Sequence, residues 1–205
     1  QSLADLNHAI SLDPEHISWY QLTIEPKTEF YVKKPVLPSE NIQTRIEQSG
    51  LKILAENNYS RYEISAFCKL ERERQHNLNY WRGGPFLGIG PGAHGRVDIG
   101  TNRYVTEAPS HPELWLKKIQ NNAINDFTYE KMSALARAEE YIIMGLRLKE
   151  GIDMTHYSFL RLKELPRTKI NQLLNDNLIK IEKNILKTTG RGKVLTDYII
   201  NQLLC

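Results

Sequence analysis

Cysteine is scarce in this chain: Cys68 and Cys205 are the only two in 205 residues, and they lie far apart. Such a pair builds no disulfide framework and fits a reducing compartment. No run approaches the roughly 18 consecutive apolar residues of a membrane-crossing helix, and the amino terminus shows no basic-then-apolar signal pattern, so a cytoplasmic location is expected. Charge of one sign is also lacking. Lys and Arg total 27 against 24 Asp and Glu, and the formal net charge of +3 is scattered, which gives no footprint for nucleic acid as a partner. The Cys-x-x-Cys spacing of zinc sites and the nucleophile elbow of hydrolases are both missing. The chain also starts without Met and runs straight into an amphipathic pattern, which reads as opening partway through a fold.

What is present is the composition of a globular protein, 40% apolar and 25% charged, long enough for one large domain or two small ones. Leu3, Leu6, Ala9 and Ile10 share one helical face, and Asp13-Pro14 stops that helix. "HISWYQLTIE" (16–25) reads as a buried strand, followed by a loop through Pro26, Pro35 and Pro38. Ser39 caps a helix carrying Ile42, Ile46, Ile53 and Leu54, which ends at Asn57-Asn58. In "YSRYEISAF" (59–67), Tyr62, Ile64 and Ala66 alternate with Arg61, Glu63 and Ser65, predicting a second strand. Helix, strand, helix, strand with short connections predicts a parallel sheet of the α/β class.

Beyond residue 96 the texture becomes helical, with Gly151 at a helix C-cap position and Pro166 opening another helix. "LIKIEKNILKTT" (178–189) reads as a hairpin around a Glu-Lys-Asn turn, followed by a last helix. Helices, a hairpin and a helix outline a winged-helix-like module, and the polar run "NNAIND" places the domain boundary near residue 125, giving domains 1–125 and 126–205.

Chemistry concentrates in "RQHNLNYWRGGPFLGIGPGAHGR" (74–96), which holds six glycines and two histidines. On a helical turn His76 and Tyr80 would share a face; an imidazole can ligate iron, while a loop histidine packed over Tyr80 and Trp81 fits the same residues. The glycines of "GIGPGAHG" let backbone N–H groups approach a ligand, or simply form a bend beside a strand. The run has no Gly-Lys-Ser/Thr ending, and no acidic residue on a following strand completes a dinucleotide fingerprint. Glu25 and Glu63 sit near expected strand ends, where acid–base groups or plain loop caps are found.

"HISWYQLTIEPKTEFY", "YSRYEISAFCK", "HNLNYWRGGPFLGIGPGAHG" and "GLRLKEGID" together resemble the carboxy-terminal half of the HemW family of radical SAM haem chaperones, a family similar to HemN, the oxygen-independent coproporphyrinogen III oxidase. The resemblance implies an α/β fold: the carboxy-terminal part of a radical SAM partial β/α barrel, then a mainly helical, winged-helix-like HemN carboxy-terminal domain. It implies haem as ligand, with S-adenosylmethionine and a 4Fe-4S cluster in the full-length protein, whose Cys-x-x-x-Cys-x-x-Cys lies upstream of this chain. The family's "HNxxY" signature falls on His76, Asn77 and Tyr80, with His76 toward the haem iron. The wall beside S-adenosylmethionine falls on Thr23, Gly90, Gly92, Ala93 and His94. No catalytic residue and no iron–sulfur ligand is assigned within the chain. Lys27, Ala66 and Gly95 depart from the family's usual Gly, Asn and Ser.

Two functions follow as expectations. One is a haem chaperone that passes haem to an acceptor protein, membrane-associated or not; the alternative is an oxygen-independent coproporphyrinogen III oxidase. A nucleic-acid reader would rest on the winged-helix outline alone, and the mixed charge of "IEKNI" and "RTKINQLLNDN" speaks against it.

Overall fold

The computed structural model describes residues 1–122 and 127–204, so the expected boundary near residue 125 lies outside the described residues. The chain divides into two compact units, Gln1–Arg74 and Gln75–Cys205.

The first unit contains α1 (Ser2–Ser11), β1 (His16–Ser18), α2 (Glu29–Val32), α3 (Glu40–Glu56), β2 (Ser60–Arg61) and β3 (Ala66–Cys68). Its core gathers Leu6 of α1, Ile17 of β1, Leu54 of α3, Tyr59 and Phe67. The helix-stopping residues act as read from the sequence: Asp13 and Asn58 both take left-handed backbone just beyond α1 and α3. The sheet differs from the expected parallel one. Its order is β1-β3-β2, and β3 runs antiparallel to both neighbours. The segment 59–67 is therefore not one strand but a hairpin, because the chain turns at Glu63–Ser65. The strand expected over 16–25 is likewise only His16–Ser18. Past Trp19, whose N–H donates to the Ser65 carbonyl, no described strand pairs with the chain, and Tyr20 and Leu22 are exposed.

The second unit runs through α4 (Gln75–Trp81), β4 (His94–Ile99), β5 (Asn102–Glu107), α5 (Pro112–Gln120), β6 (Thr128–Lys131), α6 (Ala134–Gly145), β7 (Ile152–Asp153), α7 (Met154–Arg161), α8 (Arg167–Asn175), β8 (Ile179–Glu182), β9 (Ile185–Thr188), α9 (Gly190–Lys193) and α10 (Thr196–Leu204). Two antiparallel sheets result, β4-β5-β6 and β7-β9-β8. The expected hairpin is β8–β9, turned by Lys183 and Asn184, both at positive φ as a tight two-residue turn requires. Ala138, Ile142, Leu146, Ile152, Leu173, Leu186 and Ile199 interlock in its core. Ser133 starts α6 by accepting a hydrogen bond from the Ala136 N–H at 3.1 Å.

Gly151 does not cap a helix, since α6 ends at Gly145. Its φ of +77° instead serves the turn into β7, where a Cβ would be driven into the Leu186 carbonyl oxygen. The hairpin β4–β5, turned at Gly100-Thr101, and the strand β6 are additions that the sequence reading did not foresee.

Candidate functional site

Helix α4 is short, seven residues, and Leu78 is its buried anchor. The spacing of four brings His76 and Tyr80 onto one face, where their rings meet edge-to-face at 4.7 Å between centroids. His76 itself is exposed, and Tyr80 is half-buried. Tyr80 also meets Phe86, again edge-to-face, at 4.4 Å between centroids.

The chain leaving α4 is held by polar side chains. The Asn79 amide donates to the Pro85 carbonyl at 2.9 Å, and the Gly84 N–H returns to the Asn79 carbonyl at 2.7 Å. Arg103 of β5 donates to the Gly83 carbonyl and also grips Asp98 with two hydrogen bonds of 2.7 and 2.8 Å. That grip holds the Asp98 carboxyl below its ordinary range and raises the Arg103 guanidinium above its own. Arg82 is bound by both carboxylate oxygens of Glu150, at 2.7 and 3.0 Å.

Phe86 then pairs with Arg96 through both backbone groups, at 2.7 and 2.8 Å, so the chain between them is a loop tied at its neck. Inside the neck a Cβ on Gly88 would strike the His94 carbonyl, and one on Gly95 would strike the Thr106 hydroxyl. Gly90 and Gly92 carry the loop's positive φ values of +114° and +68°. Gly92 donates to the Pro109 carbonyl at 2.9 Å, and the Ala108 N–H donates to that of Ala93 at 2.9 Å. The His94 Nε2 lies 4.0 Å from Glu107 Oε1 across the β4–β5 pair. The candidates His76, Asn77, Tyr80, Gly90, Gly92, Ala93 and His94 thus belong to one continuous, cross-tied segment of the second unit.

Thr23 belongs to the first unit. It is exposed and lies outside any strand, not near the end of one, because β1 stops at Ser18. Glu25 is exposed as well. Glu63 is 3% exposed and accepts a hydrogen bond from the Ser65 N–H at 3.1 Å, so it closes its own turn, and burial pushes its carboxyl up. The imidazole of His16, bonded to the Tyr62 hydroxyl at 2.9 Å, is pushed down by burial and by nearby Arg74.

An iron–sulfur cluster needs several thiolates on one loop. Cys68 is buried in β3, and among the described residues no group of three His, Cys, Asp or Glu is placed to hold a metal ion. The residues described here do not fit such a cluster. At Gly90 a Cβ would meet open space, so the backbone of the glycine loop is uncovered there. No helix among the described residues is long and apolar enough to cross a membrane.

The sequence reading missed Phe86, Asn79, Arg96 and Arg103. Phe86 alone carried a signal, as an aromatic residue lodged between glycine pairs.

Comparison with known proteins agrees with this architecture. The HemN C-terminal domain family matches residues 132–195. The haem chaperone HemW of Escherichia coli is 47% identical over 208 residues, covering 100% of this chain and 53% of that protein. HemW of Buchnera aphidicola from Schizaphis graminum is 36% identical over 218 residues, covering 98% of this chain and 53% of that protein. The chain spans about half the length of these curated relatives. Among solved structures, the coproporphyrinogen III oxidase HemN from Escherichia coli, described as a radical SAM enzyme, superposes with a TM-score of 0.73 over 97% of this chain and 50% of that one, at 15% identity. At that identity the likeness establishes the fold, and the fold is the expected HemN-like one, with the HemN C-terminal domain over residues 132–195.

Proposed function

The chain is a relative of the HemW haem chaperones over its whole length, and from that premise we propose that it binds haem through α4 and passes it to an acceptor protein. The observation that carries the proposal is the exposed His76 imidazole, seated edge-to-face on Tyr80. A neutral imidazole nitrogen is a ready ligand for haem iron, and a flat aromatic edge beside it suits a macrocycle. In this reading His76 meets the iron, while Asn77 and Tyr80, with Trp81, line the haem side.

Gly90, Gly92, Ala93 and His94 are proposed as wall for S-adenosylmethionine in the full-length protein, the glycines offering backbone groups with no side chain in the way, and Thr23 is proposed by itself as a further candidate for that ligand. S-adenosylmethionine, when bound in radical SAM proteins, is a source of the 5′-deoxyadenosyl radical. The 4Fe-4S cluster is assigned to the part of the relatives that this chain does not match, because the described residues hold no ligand set for it. The proposal places the protein in the cytoplasm and allows the acceptor to be membrane-associated.

Titrating the chain with hemin tests the assignment. His76→Ala is expected to remove most of the bound-haem Soret absorbance; an unchanged band would sink it. The oxidase reading rests on the likeness of fold to HemN and on the HemN C-terminal domain match, and formation of protoporphyrinogen by the full-length protein would put it in place of the chaperone.

A further inference from the structure

His76 is the exposed end of a row of three rings. Tyr80 touches it edge-to-face, and Phe86 in turn touches Tyr80. A half-exposed tyrosine on a short helix moves among staggered side-chain wells, and a ring packed against it removes that freedom.

Phe86 is well placed to be such a stop, because backbone pairing rather than burial fixes its main chain. It is half-exposed and lies outside both hydrophobic clusters. Yet its N–H and carbonyl are both bonded to Arg96, whose guanidinium is held by Glu140 of α6 at 2.8 Å. The turn joining it to α4 is closed independently, by Asn79 on Pro85 and by Arg103 on Gly83. The Phe86 main chain therefore stands at a set position relative to the helix, and its ring meets Tyr80 from there at 4.4 Å.

We propose that Phe86 is a positioning residue, whose ring holds Tyr80, and through Tyr80 the His76 imidazole, in the orientation that meets haem iron. This rests on the haem-side reading of α4. Phe86 need not touch haem to act in this way. Its contribution is to keep the ligand from being spread over several orientations, of which one binds.

The test compares Phe86→Leu, Phe86→Tyr and His76→Ala by hemin titration, Soret spectrum and resonance Raman coordination bands. Thermal melts verify that each variant folds. Phe86→Leu is expected to weaken hemin binding about three- to tenfold, the equivalent of one aromatic contact. It should also replace the single coordination signature by a mixture. Phe86→Tyr keeps the ring and should restore both affinity and signature. If the leucine variant lacks a cooperative melt, Phe86→Met, close in volume and ringless, takes its place. Should the ringless variant give the wild-type spectrum while His76→Ala abolishes it, Phe86 does not position the ligand and the haem-side reading stands. Should His76→Ala leave the spectrum unchanged, both fall together.

Discussion

Gly151→Ala would impose two separate penalties on the turn into β7, and other glycines of the same unit separate them. The first is conformational: at φ +77°, a Cβ meets the strain of left-handed backbone, about 1–2 kcal/mol. The second is collision, because the new methyl would be driven into the carbonyl of Leu186, a fully buried residue of β9. A backbone atom in a sheet cannot swing aside as a side chain can. Relief means lifting β7 off β9, where Ile152 pairs with Leu186, at about 1 kcal/mol for each hydrogen bond given up. Together these reach about 3 kcal/mol. Gly100→Ala carries only the first penalty, since φ is +59° but nothing lies within 4 Å, and should cost about 1 kcal/mol. Gly190→Ala carries neither and should stay within about 0.5 kcal/mol of wild type. Urea unfolding followed by circular dichroism reads all three. Equal losses for Gly151→Ala and Gly100→Ala would refute the collision and with it the packing described for the β7–β9 pair.

Glu63 gives a pH-dependent outcome. Burial raises its folded-state pKa above the unfolded value near 4.5, so the ionised form is penalised in the folded protein at neutral pH, and the penalty disappears as pH falls below that value. Glu63→Gln should therefore match or exceed wild-type stability at pH 7 and lose its advantage by about pH 4; a variant less stable at pH 7 would show that the Ser65 hydrogen bond outweighs desolvation. Ser133→Ala removes the hydroxyl that caps α6 and should cost about 1 kcal/mol in the same urea assay, whereas no loss would mean that water replaces the cap.

The elements that could be read from the sequence are those whose signal is local. The stops at Asp13 and Asn58, the helices of the second unit and the Lys183-Asn184 hairpin each depend on residues within a turn or two. The antiparallel entry of β3 between β1 and β2 does not, for the alternation across 59–67 continues smoothly through a turn that only tertiary packing reveals. Gly151 misled in a related way, because positive φ is required equally by a helix cap and by a tight turn into a strand. The hairpin β4–β5 was hidden behind the glycines that precede it. At the candidate site, the spacing of four placed His76 and Tyr80 together correctly. Phe86 was beyond that reasoning, since its contact with Tyr80 depends on a turn closed by Asn79 and by an arginine from a strand not foreseen.

The tied neck at Phe86 and Arg96 also separates what can vary from what cannot. Closing a loop whose ends are already paired grows harder only slowly with length, by about 0.6 kcal/mol for each doubling. Residues could be inserted near Gly90, where there is open space, without displacing α4, while a change at Asn79 or Arg103 would disturb the helix at once. The glycine loop can thus change in length while α4 stays in place, a freedom conferred by the two backbone hydrogen bonds at the neck.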